Sequence, residues 1–309
     1  MKSFCSLLFF CCGFVLAAAP VRAADAFTLR DGDRVVLVGN TLIEREQRYG
    51  YWETALTRRY PDKSITFRNL GWSGDTVFGD ARAGFGTQAD GFRHLKEHVL
   101  ALKPTVLIIG YGTNESFDGP KGLPRFVKGL ETLLEAFAPT KARVVLLSPL
   151  KQENLGRPLP DPKEQNKNLR LYADAIHDVA KKRGHFFVDL YDLLSKEKHP
   201  LTDNGIHLTA RGYWRSAAIL EFALGLPDVD VDQLIEMNAK GEVKKAKGAR
   251  VTKITTDPLR FEVASNLLFS PPPLGPGEGP PVIVIGEDKN FVQRLRIRDL
   301  PMGKYILRI

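Results

Sequence analysis

The chain has 309 residues, is 43% hydrophobic and 26% charged, and carries a formal charge of +8. That balance suits one sizeable globular domain with a smaller second one. The basic residues are scattered, with no interleaved aromatics and no nucleic-acid motif, which excludes a nucleic-acid-binding class.

The first residues are a separate matter. Met1 and Lys2 make a short basic start, Phe4 to Ala19 is apolar, and "VRAADA" at 21–26 offers small residues for cleavage. Residues 1–23 therefore read as a secretory signal peptide, too short and wrongly flanked for a membrane span. Cleavage is expected after Ala23, with Ala24 the next-best position. Loss of Lys2 and Arg22 lowers the formal charge from +8 to +6. Cys5, Cys11 and Cys12 all lie in this segment, so the mature chain has no disulfide and no thiolate metal site. None stands at the cleavage point to carry a lipid, and no later apolar stretch is long enough to span a bilayer. The mature protein is expected in the periplasm or the medium.

Beyond the signal, apolar runs alternate with helix-like stretches. Strands are predicted at 34–38, 64–70, 105–112, 143–149 and 185–190. Helices are predicted near 48–60, 88–102, 122–138, 163–183 and 209–224. Strands with four or more consecutive apolar residues are expected where helices cover both sheet faces. The alternation predicts an α/β fold over 24–226 with a parallel, doubly wound sheet, and loops after the strands' carboxyl ends forming the site.

After Leu226 the pattern changes. Residues 227–250, including "KGEVKKAKGAR", read as a charged linker. Residues 251–309 read as a small β-rich appendage of three or four strands. "RVTKITTDPLRFEVAS", "PVIVIG" and "KYILRI" supply the strands, and "SPPPLGPGEGPP" at 270–281 a Pro/Gly loop. So few strands close no core easily, so the appendage is expected to be truncated at Ile309.

Four stretches fall in loops after strands or before the last helix: "GNTL" at 39–42, "NLGWSGDT" at 69–76, "GYGTNES" at 110–116 and "TDNGIHLTARGY" at 202–213. Together, in this order, they resemble the sequence blocks of the SGNH/GDSL hydrolases. The resemblance covers about 33–224. It implies a flavodoxin-like three-layer sandwich with a five-stranded parallel sheet. It also places the family's nucleophilic serine on Thr41, its oxyanion groups on Gly74 and Asn114, and its catalytic histidine on His207. The aspartate three residues before that histidine falls on Asn204. Asn40 and Glu115 also stand where the family has aspartate.

Elementary chemistry says what these groups can do. Fixed donors aimed at the developing oxyanion are each worth about 3–4 kcal/mol. The backbone N–H groups of Thr41 and Gly74 and the Asn114 side chain would supply them. His207 would take the hydroxyl proton and return it to the leaving alcohol. Threonine can attack, although its extra methyl crowds a serine site and narrows χ1. Asn204 removes the carboxylate that would hold the ring. A backbone carbonyl could orient the imidazole instead, or Asp203 could serve as an auxiliary one position out of register. Ser73 does not lie in a G-x-S-x-G elbow, and Ser116 reads as a helix cap. Asp75, Glu115, Asp203 and Glu44 form no spaced ligand motif, so no metal and no cofactor is expected. Arg45 and Trp72 border the site, where they could bind a substrate carboxylate or stack on a sugar.

The resemblance implies an exported ester hydrolase working through an acyl-enzyme, with a carbohydrate O-deacetylase the most natural kind and a small ester or acylated carbohydrate the substrate. The alternative is a catalytically impaired protein on the same scaffold that binds carbohydrate or another polymer. An adhesion or assembly module built on the basic stretch and the appendage is a third reading. Oligomeric state is not legible.

Overall fold

The computed structural model describes residues 27–197, 199–226, 233–265 and 293–306. The expected signal peptide at 1–23, the Pro/Gly stretch at 270–281 and "PVIVIG" lie outside them. Five strands form one parallel sheet: β1 (Arg34–Gly39), β2 (Thr66–Gly71), β3 (Val106–Gly110), β4 (Arg143–Leu147) and β5 (Phe186–Val188), in the order β2-β1-β3-β4-β5. The helices are α1 (Thr41–Glu46), α2 (Tyr51–Arg59), α3 (Gln88–Ala101), α4 (Gly119–Phe137), α5 (Lys163–Arg183), α6 (Leu190–Leu194) and α7 (Ala210–Ala223). The expected three-layer α/β sandwich is therefore present.

Strand alternation divides the core. Val35 and Leu37 of β1, with Val106 and Ile108 of β3, face Trp52, Leu56, Tyr213 and Leu220 of α2 and α7. Val36, Val38, Leu107 and Ile109 face the other way, onto Leu95, Val99, Phe126, Leu130 and Ile176 of α3, α4 and α5. Both faces of β1 and β3 are apolar because both are covered.

The carboxyl end of the sheet has a different device. Gly39 of β1 is in register with Gly71 of β2 and Gly110 of β3. A Cβ on Gly39 would lie 2.3 Å from the Gly110 carbonyl oxygen and 2.5 Å from Ile43. On Gly71 it would lie 2.2 Å from the backbone nitrogen of Glu44. This glycine row leaves room for α1 to lie against the strand ends. Six residues make a helix too short to stand alone, and tertiary bonds hold it. Asn69 donates to the Ile43 carbonyl (2.6 Å), and the Tyr213 hydroxyl to the Leu42 carbonyl (2.7 Å). The Asn40 side chain caps the start by accepting from the Leu42 N–H (3.1 Å).

The stretch read as a charged linker instead carries strands. β6 (Gln233–Asn238), β7 (Val243–Lys247) and the first residues of β8 (Ala249–Thr256) fall within it. In β6 the burial alternates, with Gln233, Ile235 and Met237 buried and Leu234 and Glu236 partly exposed. That two-residue period is sparse, and β7 is a lysine-rich strand with little burial, so charge masks the pattern. β7 pairs antiparallel with β6, and β10 (Gln293–Arg298) pairs parallel on its other side. β8 and β9 (Leu259–Ser265) form a two-stranded hairpin. Lys304–Ile306 of "KYILRI" are not strand, and its last three residues lie outside the described ones.

Among the described residues no helix is long and apolar enough to cross a membrane. Gly71→Ala should drive Cβ into the α1 backbone and lower stability by about 1–3 kcal/mol, read by urea denaturation. An unchanged midpoint would mean that α1 does not depend on this close approach.

Candidate active site

Thr41 opens α1 directly after β1, which lies between β2 and β3 in the sheet. Its own N–H, in the first helical turn, has no acceptor within the helix. The Gly74 N–H, in the loop after β2, donates to the Thr41 hydroxyl at 3.1 Å. Gly74 has φ +73, and a Cβ there would meet nothing within 4 Å. Glycine is thus needed for the left-handed turn that aims this N–H, and not for close approach. Ser73 sits alongside, its Oγ 3.4 Å from Thr41 Oγ1 and 3.5 Å from a Glu44 carboxylate oxygen.

The loop after β3 brings Asn114. Its amide nitrogen donates to the Asp75 carbonyl at 2.7 Å, which joins this loop to the one carrying Gly74. Two buried acids strengthen that junction. Glu115 accepts from the Val77 N–H (2.8 Å) and the Gly112 N–H (2.9 Å). Burial pushes its carboxyl up to about 7, against those donors. Asp75 is fully buried and pairs with Arg82 at 2.6 Å, while Tyr111 donates to the same carboxylate at 3.0 Å. Breaking a buried pair of this kind strands a charge, a cost of about 3–5 kcal/mol. Ser116 is buried and donates to the Thr113 carbonyl at 2.7 Å, so it does not cap a helix.

His207 is presented by a tight loop before α7. Thr202 bridges to Leu208, and the Asp203 N–H donates to the His207 carbonyl at 3.0 Å. Glu153, in the loop after β4, clamps this loop through the Leu201 N–H (2.9 Å), the Thr202 N–H (2.8 Å) and the Thr202 hydroxyl. Sequence reading misses Glu153, because its role comes from a contact 48 residues away and no local pattern marks it.

Thr41, Asn114 and His207 line one cleft, together with Asn40, Arg45 and Gln152. The four residues singled out by the sequence are thus at one end of the sheet. Among the described residues, no hydrogen bond joins His207 to the Thr41 hydroxyl. Asp203 does not reach the ring: its carboxylate is held by Arg45 at 3.1 Å.

Asn204 is the neighbour of His207 Nδ1. Its Oδ1 accepts from the His207 N–H (2.9 Å) and the Ile206 N–H (3.1 Å). Those two donors fix which end of the amide faces them. The amide nitrogen must then face the ring, and it lies 3.0 Å from Nδ1. An amide nitrogen only donates, so Nδ1 accepts and the neutral ring carries its proton on Nε2. In that tautomer Nε2 cannot take a proton from Thr41. The charged ring would set N–H against N–H. Burial, with Arg45 and Arg48 nearby, further holds the His207 pKa below its ordinary value, against the weaker pull of Asp203 and Glu44.

A family model for the GDSL-like lipase/acylhydrolase family matches residues 32–215. An acetylxylan esterase of Xylanibacter ruminicola is 26% identical over 221 residues, covering 63% of this chain and 43% of that protein. Among solved structures, BT4096, a gut microbial diltiazem-metabolizing enzyme, superposes with a TM-score of 0.56 at 18% identity, covering 79% of this chain and 59% of that one. A catalytic mutant of Axe2, an acetylxylan esterase from Geobacillus stearothermophilus, gives a TM-score of 0.51 at 20% identity, covering 65% of this chain and 98% of that one. The chain therefore spans less than half of the matched Xylanibacter esterase and under two thirds of BT4096. At these identities the superpositions speak to the fold alone.

Nitrogen NMR should find His207 as the Nε2–H tautomer in the native protein and as Nδ1–H in Asn204→Asp. If neutral His207 is the base of a reaction, a lowered pKa keeps it competent as pH falls. The acid limb of kcat/KM should then lie below the ordinary histidine value of 6.5. Asn204→Asp stabilises the imidazolium and should move that limb to higher pH. A native limb above the ordinary value would contradict this reading.

Proposed function

The chain belongs to the GDSL-like lipase/acylhydrolase family, and on that premise we propose that it hydrolyses short acyl esters of carbohydrate outside the cytoplasm. The observation that carries the reading is the Thr41 hydroxyl, 3.1 Å from the Gly74 N–H in a cleft shared with Asn114 and His207.

Thr41 Oγ1 attacks the ester carbonyl carbon as its proton passes to His207 Nε2. That step requires the ring to reach its Nδ1–H tautomer first, with the Asn204 amide displaced or its hydrogen bond lost. The carbonyl oxygen becomes an oxyanion facing the N–H groups of Gly74 and Thr41 and the second N–H of Asn114. Collapse breaks the bond to the leaving alcohol, which takes the proton from His207, and leaves an ester on Thr41. Water then attacks that ester with His207 again as base, releasing the acid and the free threonine. In serine proteases an aspartate-to-asparagine change at the analogous position costs about 10⁴ in rate through the wrong tautomer. Native turnover here is accordingly expected to be slow.

The cleft supports a short acyl group. It encloses about 50 Å³, and on this measure one water needs about 10–15 Å³. Trp72, half exposed two residues before Gly74, offers a face on which a sugar can stack. The esterase relatives point toward acetylated carbohydrate. Export rests on the N-terminal signal. Sequencing protein recovered from the envelope or medium should give a start near Ala24, and an intact Met1 would refute it.

A second reading is favoured by one observation, the donor that Asn204 presents to His207. A protein with that arrangement could bind an acylated glycan and not turn it over. Assays on short acyl esters and acetylated glycans separate the two. Thr41→Ser should retain or raise the rate, and Thr41→Ala should abolish it. Thr41→Ser combined with Asn204→Asp should gain about tenfold or more, a barrier lowered by about 1.4 kcal/mol. Inactivity of the native chain and of every restored variant, with glycan binding unchanged in Thr41→Ala, would leave the binding reading alone.

A further inference from the structure

Three side-chain N–H donors of cleft-lining residues are buried and have no acceptor among the described residues: Asn40 Nδ2, Arg45 Nε and Gln152 Nε2. Asn40 is only 3% exposed, and its Oδ1 is taken by the Leu42 N–H at 3.1 Å, so its amide nitrogen is left facing no partner. Arg45 spends Nη2 on Asp203 and keeps Nε unmatched. A buried donor without an acceptor is costly, and small side-chain movements that bring these atoms to the cleft would let a ligand remove that cost. All three unmatched groups are donors. Arg45 and Lys151 add positive charge, and no aspartate or glutamate is among the residues lining the cleft.

We propose that the cleft selects a substrate carrying a carboxylate close to the scissile ester, such as an acylated uronic acid, over the corresponding neutral sugar. This rests on the ester-hydrolase reading of the same site. A sugar hydroxyl donates as well as accepts, and its proton gains nothing from these three donors. A carboxylate only accepts, and its two oxygens suit the planar fork of an arginine with amide donors beside it. Asp203 offsets part of the Arg45 charge, and Lys151 supplies a second cation beside it. Arg45 and Gln152 are thus specificity residues, and Lys151 steers the anion from the rim.

The test separates binding from turnover. The Thr41→Ala protein, which lacks the nucleophile, is titrated by NMR with methyl glucuronoside, methyl glucoside and the methyl ester of the glucuronoside. The glucuronoside should bind at least about tenfold tighter than the glucoside. The methyl ester should fall to the glucoside level, and added salt should narrow the gap. Arg45→Gln should remove the preference, and Gln152→Ala should reduce it. Should Arg45→Gln fail to fold, Lys151→Gln at an exposed position should still weaken the glucuronoside selectively. Equal or tighter binding of the glucoside would overturn the proposal, as would no binding of either probe or a preference indifferent to all three variants. A glucuronoside preference without ester turnover by the native chain would keep the specificity and remove the hydrolase reading. Turnover of neutral esters without that preference would do the reverse.

Discussion

The site depends on an absence of side chains. Gly71, Gly39 and Gly110 stand in register at the carboxyl ends of three neighbouring strands. Any Cβ on Gly39 or Gly71 would collide with backbone or with Ile43. Because nothing projects there, α1 lies directly on the strand ends and Thr41 comes directly after β1, between β2 and β3 in the sheet. The flanking strands β2 and β3 then lead into the loops that carry Gly74 and Asn114. Six helical residues cannot hold this position by themselves. Asn69 and Tyr213 hold it by binding the carbonyls of Ile43 and Leu42.

Around that point the structure is rich in donors and poor in bases. The Gly74 N–H already rests on the Thr41 hydroxyl, and the Asn114 amide is braced on the Asp75 carbonyl. Glu115 and the Asp75–Arg82 pair fix the two loops from below. The histidine side is different. Glu153 clamps the His207 loop firmly, yet Asn204 gives the ring a donor where a carboxylate would give an acceptor. The scaffold gathers donors around Thr41, while His207 rests in the tautomer whose Nε2 carries the proton.

The sheet was legible because three of its strands, β1, β3 and β4, are continuous apolar runs. Residues 34–38 read as a strand and Arg34–Gly39 is one, and the helix expected over 163–183 has those bounds. Short helices were not legible. α1 and α6 have six and five residues and owe their existence to tertiary contacts that leave no period in the sequence. β6 and β7 were hidden by charge, since a lysine-rich exposed strand looks like a linker. The meeting of Thr41, Gly74, Asn114 and His207 followed from strand-end placement. The competition for Arg45, which takes Asp203 away from His207, did not, and neither did the orientation of the Asn204 amide. Both are set by partners distant in sequence or by backbone donors whose directions only the fold defines.

The central claim is that Thr41, held over the glycine row, forms the bond to the acyl group. The most direct measurement is intact-protein mass spectrometry of the chain quenched during reaction with a short activated acyl ester, followed by peptide mapping of any adduct. The account predicts one acyl group on the peptide containing Thr41, and none in Thr41→Ala. An adduct on Ser73, whose hydroxyl lies 3.4 Å away, would contradict it, as would adduct formation unchanged in Thr41→Ala.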